Sequence, residues 1–199
     1  YIILMYTIRG ARHLKYISEI GDIIMERRRP SKKTSESRVV KTQRIFPDDL
    51  NNNYTLFGGC ILSLIDATAS ISVARHTRKS SVTASIDSVN FINPANIDDS
   101  ICAECFVSGV GNSSIEVFCK VVVENLLSGE RKLCATSFIT FTCYEEEGSK
   151  TLIPLIEPET EEEIYIHKGY SSRRKERLEN RRWSLKMNEN ISLKIPWVN

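Results

Sequence analysis

The 199 residues carry 27 Lys and Arg against 25 Asp and Glu, a formal net charge of +2, with 41% hydrophobic and 26% charged residues. That balance is globular rather than disordered or fibrous, and near neutrality disfavours a dedicated nucleic-acid binder, which is basic overall. The apolar run from Tyr1 to Ile8 falls far short of the ~20 residues of a membrane span and lacks the shape of a secretory signal, and six cysteines are too sparse for a disulfide scaffold, so a cytoplasmic protein without a membrane partner is expected.

Residues 1–36 mix short apolar patches with the basic stretch Arg27-Arg28-Arg29-Pro30-Ser31-Lys32-Lys33. They are expected to form an N-terminal extension, of which residues 1–24 are either a flexible segment or the product of a mis-assigned start, with Met25-Glu26-Arg27 as a natural beginning. Residues 37–157 are expected to form the globular domain. Ser37–Phe46 alternates as a strand, and Pro47-Asp48-Asp49-Leu50-Asn51-Asn52-Asn53 is a loop, because Asn and Asp side chains bond their own backbone. After Gly58-Gly59, the run Cys60–His76 has no Pro or Gly and predicts a helix of about four turns. Ser81–Phe91, Ser100–Gly109, Ser113–Leu127 and Glu130–Tyr144 are rich in Val, Ile, Phe, Thr and Cys. They are separated by Asn93-Pro94, Gly111-Asn112 and Ser128-Gly129, which are strand signals with hairpin punctuation. Successive strands on short turns predict an antiparallel meander, and the lone apolar helix must bury itself against it. The fold class is therefore α+β, a curved antiparallel sheet wrapped around one central helix. Residues 158–199 predict a helical tail. Thr160 with Glu163 makes a capping box, Gly169 interrupts the helix, and Ser171–Lys186 is a basic helical stretch holding Arg173, Arg174, Arg177, Arg181 and Arg182.

Within the central helix, Asp66 is the one ionisable group among apolar and small residues from Cys60 to Ala74. A helix apolar on nearly all sides is buried on nearly all sides, and a carboxylate there is costly unless partnered. One reading is a general base or nucleophile with a raised pKa. The other is a carboxylate facing a wet groove or paired across an interface. Gly58-Gly59 directly before the helix lets a ligand approach the backbone, and a helix N-terminus presents free N–H groups suited to an oxyanion.

The linked motifs Pro47-Asp48-Asp49-Leu50-Asn51, Thr55-Leu56-Phe57-Gly58-Gly59, Leu64-Ile65-Asp66, Ala74-Arg75-His76 and Val82–Phe91 resemble the hotdog-fold acyl-CoA thioesterases, closest to the bacterial single-domain cytosolic acyl-CoA hydrolases related to the brain acyl-CoA hydrolases. Gly111-Asn112-Ser113-Ser114-Ile115-Glu116-Val117 and Ala135-Thr136-Ser137-Phe138 extend the match, which covers roughly Ser37 to Arg182. The resemblance implies a hotdog fold and hydrolysis of fatty acyl-CoA to free acid and CoA. It implies no metal, and no cofactor other than the CoA carried by the substrate. It also implies a homo-oligomer, a dimer at least and commonly a hexameric trimer of dimers with sites at the dimer interface. Asp66 matches the family's catalytic carboxylate, Asn51 the catalytic Asn from the opposite subunit, and Gly59 the N–H that polarises the thioester carbonyl. Gly58, Ala84, Ser85, Ile86, the turn Asn112-Ser113-Ser114 and Arg174 are implied CoA contacts. Strand backbone suits an extended pantetheine chain, and Ser and Arg suit phosphates. The chain departs from the family pattern at Ala67, where Glu is common, at Asn112, where Arg or Thr is common, at Tyr54 and at Leu50. A non-catalytic acyl-CoA-binding hotdog regulator is the alternative reading, and a hotdog dehydratase using His76 a lesser one. Cys102-Ala103-Glu104-Cys105 lacks a second pair and lies in a strand, so no metal site is expected there. Cys60, Cys119, Cys134 and Cys143 are read as small core residues, and His76 as a cap on its helix's C-terminal carbonyls.

Overall fold

Three runs dominated by Val, Ile, Phe, Cys and Thr lie between Asp99 and Tyr144. In the computed structural model, which describes residues 29–144 and 152–194, they form the centre of a five-stranded antiparallel sheet. The expected extension upstream of Arg29 and the acidic Glu145–Glu147 lie outside the described residues. In chain order, β1 (Ser31–Lys33) and the single turn α1 (Thr34–Ser37) lead into β2 (Val39–Arg44). The helix α2 (Gly58–Thr77) follows, then β3 (Ser80–Phe91), β4 (Asp99–Val110), β5 (Ser114–Asn125), β6 (Arg131–Tyr144), β7 (Leu155–Glu157), α3 (Glu161–Lys168) and α4 (Tyr170–Asn188). The helix begins two residues before its expected start, and each long strand lies within two residues of its expected limits.

The sheet order is β2-β4-β5-β6-β3. The meander expectation therefore holds for β4, β5 and β6 and fails for β3, which pairs with β6 and not with β4. Asn93-Pro94 belongs to a crossover rather than a hairpin turn. The Ala95 carbonyl accepts from the Leu56 N–H at 2.8 Å, and the Ile92 N–H bonds the Cys134 carbonyl at 2.8 Å. These bonds carry the chain across the mouth of the helix to the far side of the sheet, where β4 lies between β2 and β5. The helix α2 contacts all five strands of that sheet. Ile61, Leu64, Ile65, Ala69 and Val73 meet Ile101, Val117, Val121, Ile139 and Phe141 in the core.

The central strands are buried on both faces. Away from α2, Phe106, Phe118 and Phe138 stack at centroid distances of 5.5 and 5.1 Å. Arg38, just before β2, lays its guanidinium over Phe106, and the tail lays that of Arg173 over Phe138. The capping box at Thr160 and Glu163 forms as expected, and Gly169 divides α3 from α4. The paired strands β1 and β7 run parallel, matching Ser31 with Leu155 and Lys33 with Glu157. Cys105, Cys119, Cys134 and Cys143 are buried and free, and burial pushes the Cys105 thiol up, away from thiolate chemistry.

Two expectations about α2 change. His76 does not cap its own helix. Its ring points inward, fully buried, with Nε2 2.9 Å from the Pro154 carbonyl. Lys32 of β1 caps instead, its Nζ 2.8 Å from the His76 carbonyl. Nor is α2 buried on nearly all sides: Ser63, Ala67, Ile71 and Ala74, one residue per turn, form an exposed stripe on this chain.

The buried ring has a measurable consequence. Nε2 faces a carbonyl acceptor, and Nδ1 has no hydrogen-bond partner among the described residues. Protonation would place a cation in the core, so burial holds the ring's pKa below its ordinary value of 6.5, outweighing the Pro154 carbonyl, which favours the proton, while Lys32 and Arg29 push down against Glu36. The unfolded chain therefore takes up a proton that the folded chain refuses. Stability is full above about pH 6.5 and falls as pH drops through and below it. The melting temperature is expected to decline between pH 7.5 and 5.5, and His76→Gln to flatten that decline. Equal slopes for the two proteins in thermal melts would refute the assignment.

Candidate active site

Asp66 sits just before the midpoint of α2, at the border between its buried ridge and the exposed stripe, and is half-buried. Thr83 of β3 donates its hydroxyl to Asp66 Oδ1 at 2.8 Å. Among the described residues Asp66 takes this one side-chain hydrogen bond and no ion pair. The carboxylate is therefore oriented but not neutralised, with Oδ2 left for chemistry. Thr83 is a contact of Asp66 that the sequence alone did not reveal. A Thr in a β-rich strand carries no signal of its own, and only the packing of β3 beside α2 brings its hydroxyl to the carboxylate.

The α2 N-terminus is built as an open donor. Phe57 at the N-cap offers no side-chain cap, so no such oxygen occupies the first-turn N–H groups of Gly58 and Gly59. The Phe57 ring lies where a Cβ on Gly59 would project. Glycine at this position keeps the backbone N–H accessible and the ring in place. The preceding loop carries Asn51. Its Oδ1 accepts from the backbone N–H of Asn53 at 2.8 Å, and its Nδ2 donates to Thr55 Oγ1 at 3.0 Å. Tyr54 completes this tight loop with a left-handed φ of 58°, a conformation that costs a bulky residue about 1 kcal/mol or more.

Two concavities collect most of the expected residues. One, of about 330 Å³, is lined by Asn51, Gly58 and Ile61 with Phe91 and Pro94. The other, of about 580 Å³, lies between β3, β6 and α4 and is lined by Ala84, Ser85, Ile86, Ser114 and Arg174. Asn112 and Ser113 line neither. Asn112 is exposed at the β4–β5 turn, and the Ser113 carbonyl accepts from the Cys143 N–H at 2.8 Å. Asp66 and Gly59 also lie outside both linings. Within one chain, then, Asp66 and Asn51 are not brought to a shared cavity.

β3 is irregular where it borders the larger groove. Its register with β6 shifts between Thr83 and Ser85 and again between Ile86 and Ser88, so Ala84 and Asp87 are bulged residues. The bulges frame Ser85 and Ile86 and turn Asp87 toward α4, where Arg177 pairs with it at 2.9 Å. Among the described residues the other side of β3 has no partner strand.

Residues 53–129 match the family model described as "Thioesterase superfamily". The chain is 49% identical over 162 residues to an uncharacterized acyl-CoA thioester hydrolase of Bacillus subtilis, spanning 81% of this chain and 94% of that protein. A hexameric acyl-CoA thioesterase superimposes with a TM-score of 0.73 at 37% identity, over 76% of this chain and 97% of that one. The acyl-CoA hydrolase of Staphylococcus aureus, solved with butyryl coenzyme A, coenzyme A and coenzyme A disulfide, superimposes with a TM-score of 0.77 at 32% identity, over 81% and 98% of the two chains. That hydrolase has also been solved with alanine in place of an asparagine, of an aspartate fifteen residues further on, and of a threonine seventeen residues beyond the aspartate.

Proposed function

The chain belongs to the acyl-CoA thioester hydrolases of the thioesterase superfamily, and we propose that it hydrolyses a fatty acyl-CoA to the free acid and CoA with Asp66 as general base. The observation that carries this reading is the Asp66 carboxylate, held by Thr83 and left without a cation, beside the Ala84–Ile86 border of the larger groove. The intervals from Asn51 to Asp66 and from Asp66 to Thr83 equal those between the residues replaced in the S. aureus hydrolase, which supports the same three positions here.

In this reading the substrate's pantetheine arm runs along β3 and its nucleotide end enters the groove under α4. Asp66 Oδ2 takes a proton from water as the water oxygen attacks the thioester carbonyl carbon. Charge develops on the carbonyl oxygen and is met by the Gly59 N–H at the positive end of α2. The tetrahedral species collapses with cleavage of the C–S bond, and the proton held by Asp66 passes to the departing thiolate. Asn51 orients the water or the carbonyl. The balance of the reaction needs no group beyond water and substrate. Direct attack by Asp66 Oδ2 on the carbonyl carbon, breaking the C–S bond and releasing CoA thiolate, gives an acyl anhydride that water then opens to the free acid and Asp66, the released proton balancing the thiolate.

A homo-oligomer completes the site. Among the described residues the twelve-residue strand β3 leaves one side unpaired with Val82 and Ile86 exposed, and the α2 stripe of Ser63, Ala67, Ile71 and Ala74 lies open beside it. A long bare edge next to an open helix face is a surface made for a second copy. A dimer would bring Asn51 of one subunit toward Asp66 of the other, and a hexamer has a precedent in the matched thioesterase. Among the described residues no helix is long and apolar enough to cross a membrane.

Release of free thiol from a series of acyl-CoA substrates, from acetyl to palmitoyl, tests the proposal. Turnover is expected, with a preference for one range of chain length. Tight binding across the series without thiol release would overturn hydrolysis in favour of the regulator.

A further inference from the structure

The helix α4 has no buried residue, so apolar burial alone does not hold it on the sheet. Its first residue, Tyr170, lies over Gly109, where any side chain would collide with the ring. Beyond that contact the attachment is ionic and centres on Glu116 in β5, whose side chain is fully buried. Glu116 Oε1 accepts from the Ser108 hydroxyl at 2.7 Å and from Arg173 Nη2 and Nε at 2.9 and 3.2 Å. Its Oε2 accepts from Arg177 Nη1 at 3.2 Å. The same Arg177 nitrogen reaches Asp87 Oδ2 at 2.9 Å, and the Thr140 hydroxyl donates to that oxygen at 2.6 Å. Arg173 is fixed further by the Phe138 ring beneath it at 4.0 Å and by the Ile166 carbonyl at 2.8 Å.

Four arginines of α4 line the larger groove: Arg173, Arg174, Arg177 and Arg181. Glu116 and Asp87 neutralise Arg173 and Arg177. Arg174 and Arg181 have no acidic partner among the described residues. They stand two turns apart, about 10 Å along one helix face, each at the groove wall. Such a pair suits a ligand with separated phosphates, because a guanidinium left without a carboxylate binds phosphate bidentately.

We propose that Glu116 is a positioning residue for substrate binding: it clasps Arg173 and Arg177 so that α4 presents Arg174 and Arg181 to the phosphates at the nucleotide end of CoA. A fully buried carboxylate is costly unless paired. Pairing with two arginines of α4 couples that cost to the docking of the helix, so the groove wall is fixed before substrate arrives. This rests on the reading of the groove as the CoA site.

The test compares acyl-CoA with the S-acyl pantetheine of the same chain, which keeps the thioester and the pantetheine arm but has no phosphate. In the wild type the KM for acyl-CoA should be the lower of the two. In Glu116→Gln it should rise about ten-fold, the equivalent of one phosphate contact's worth of affinity, with kcat within about two-fold and the KM for the pantetheine thioester unmoved. Arg181→Ala should show the same split. A Glu116→Gln protein whose KM ratio between the two substrates equals the wild-type ratio would overturn the proposal, whether both values rise or neither does. Should Glu116→Gln fail to fold, Asp87→Asn, which loosens Arg177 from its other side, is read by the same ratio, and an unchanged ratio there also overturns it. A wild-type enzyme that hydrolyses both substrates with equal KM would instead remove the CoA reading of the groove.

Discussion

Asp66→Asn is expected to lower kcat for acyl-CoA hydrolysis by about 10²–10⁴, the range lost with a positioned general base, while CoA still binds. The substitution keeps the shape of the side chain and the acceptor oxygen facing Thr83. It removes only the capacity to take a proton or attack a carbonyl. The measurement is a pair: thiol release at saturating substrate, and the CoA dissociation constant by calorimetry. Turnover within ten-fold of wild type would remove Asp66 from the chemistry. Loss of CoA binding together with turnover would make the residue structural. Single turnover of wild-type enzyme in heavy-oxygen water then tests for the covalent route: label entering Asp66 itself marks an anhydride opened at the Asp66 carbonyl and excludes simple general-base attack by water.

The second expectation follows from the separation of Asp66 and Asn51 within one chain, since only Asn51 lines the smaller concavity. If the two act together, a partner subunit must supply one of them. Asp66→Asn and Asn51→Ala should each be nearly inactive alone. Unfolded together and refolded as a mixture, they should recover activity. A symmetric dimer carries two equivalent sites, and a hybrid of the two variants has one site with both residues intact. Random pairing makes half the dimers hybrid, so about a quarter of the wild-type activity should return. No recovery after refolding, with wild-type protein recovering under the same treatment, would place both residues in one subunit's site.

The elements were legible in the sequence where local chemistry decides them. The absence of Gly and Pro from Cys60 to His76 marks the helix, and turn residues at Gly111-Asn112 and Ser128-Gly129 mark true hairpins, borne out by the β4–β5 and β5–β6 pairings. The partner of β3 was not legible. Asn93-Pro94 has the composition of a hairpin turn, and nothing local says that the chain crosses the mouth of the helix before it pairs again. The bulges at Ala84 and Asp87 leave no trace in residue type either.

The candidate site divides along the same line. Asp66 stands out as one charge in an apolar helix, and Gly58-Gly59 as a pair before a helix start. Asn51 and the groove residues are visible only through the likeness to a family, since Asn in a loop and Ser in a strand are commonplace. Thr83 and Glu116 escaped because each is defined by a partner far along the chain. Arg173 lies 57 residues from Glu116. The inward turn of His76 also escaped, because Lys32 approaches its carbonyl from β1, across 44 residues of sequence.

The pairing of β1 with β7 bears on the order in which the protein can be made. Ser31 of the first strand meets Glu157 of the last, 126 residues apart. The ribosome must therefore extrude nearly the whole domain before that small sheet can close and before Lys32 can settle over the end of α2. Until α4 follows, Glu116 lies on a sheet face beside the Phe118 and Phe138 rings, which the tail has yet to cover. A nascent chain stalled after β6 would carry that bare aromatic strip and the unpaired edge of β3 together, the two surfaces most prone to self-association. The tail is thus a cover as well as a groove wall, and synthesis has to reach it before the sheet is safe from its neighbours.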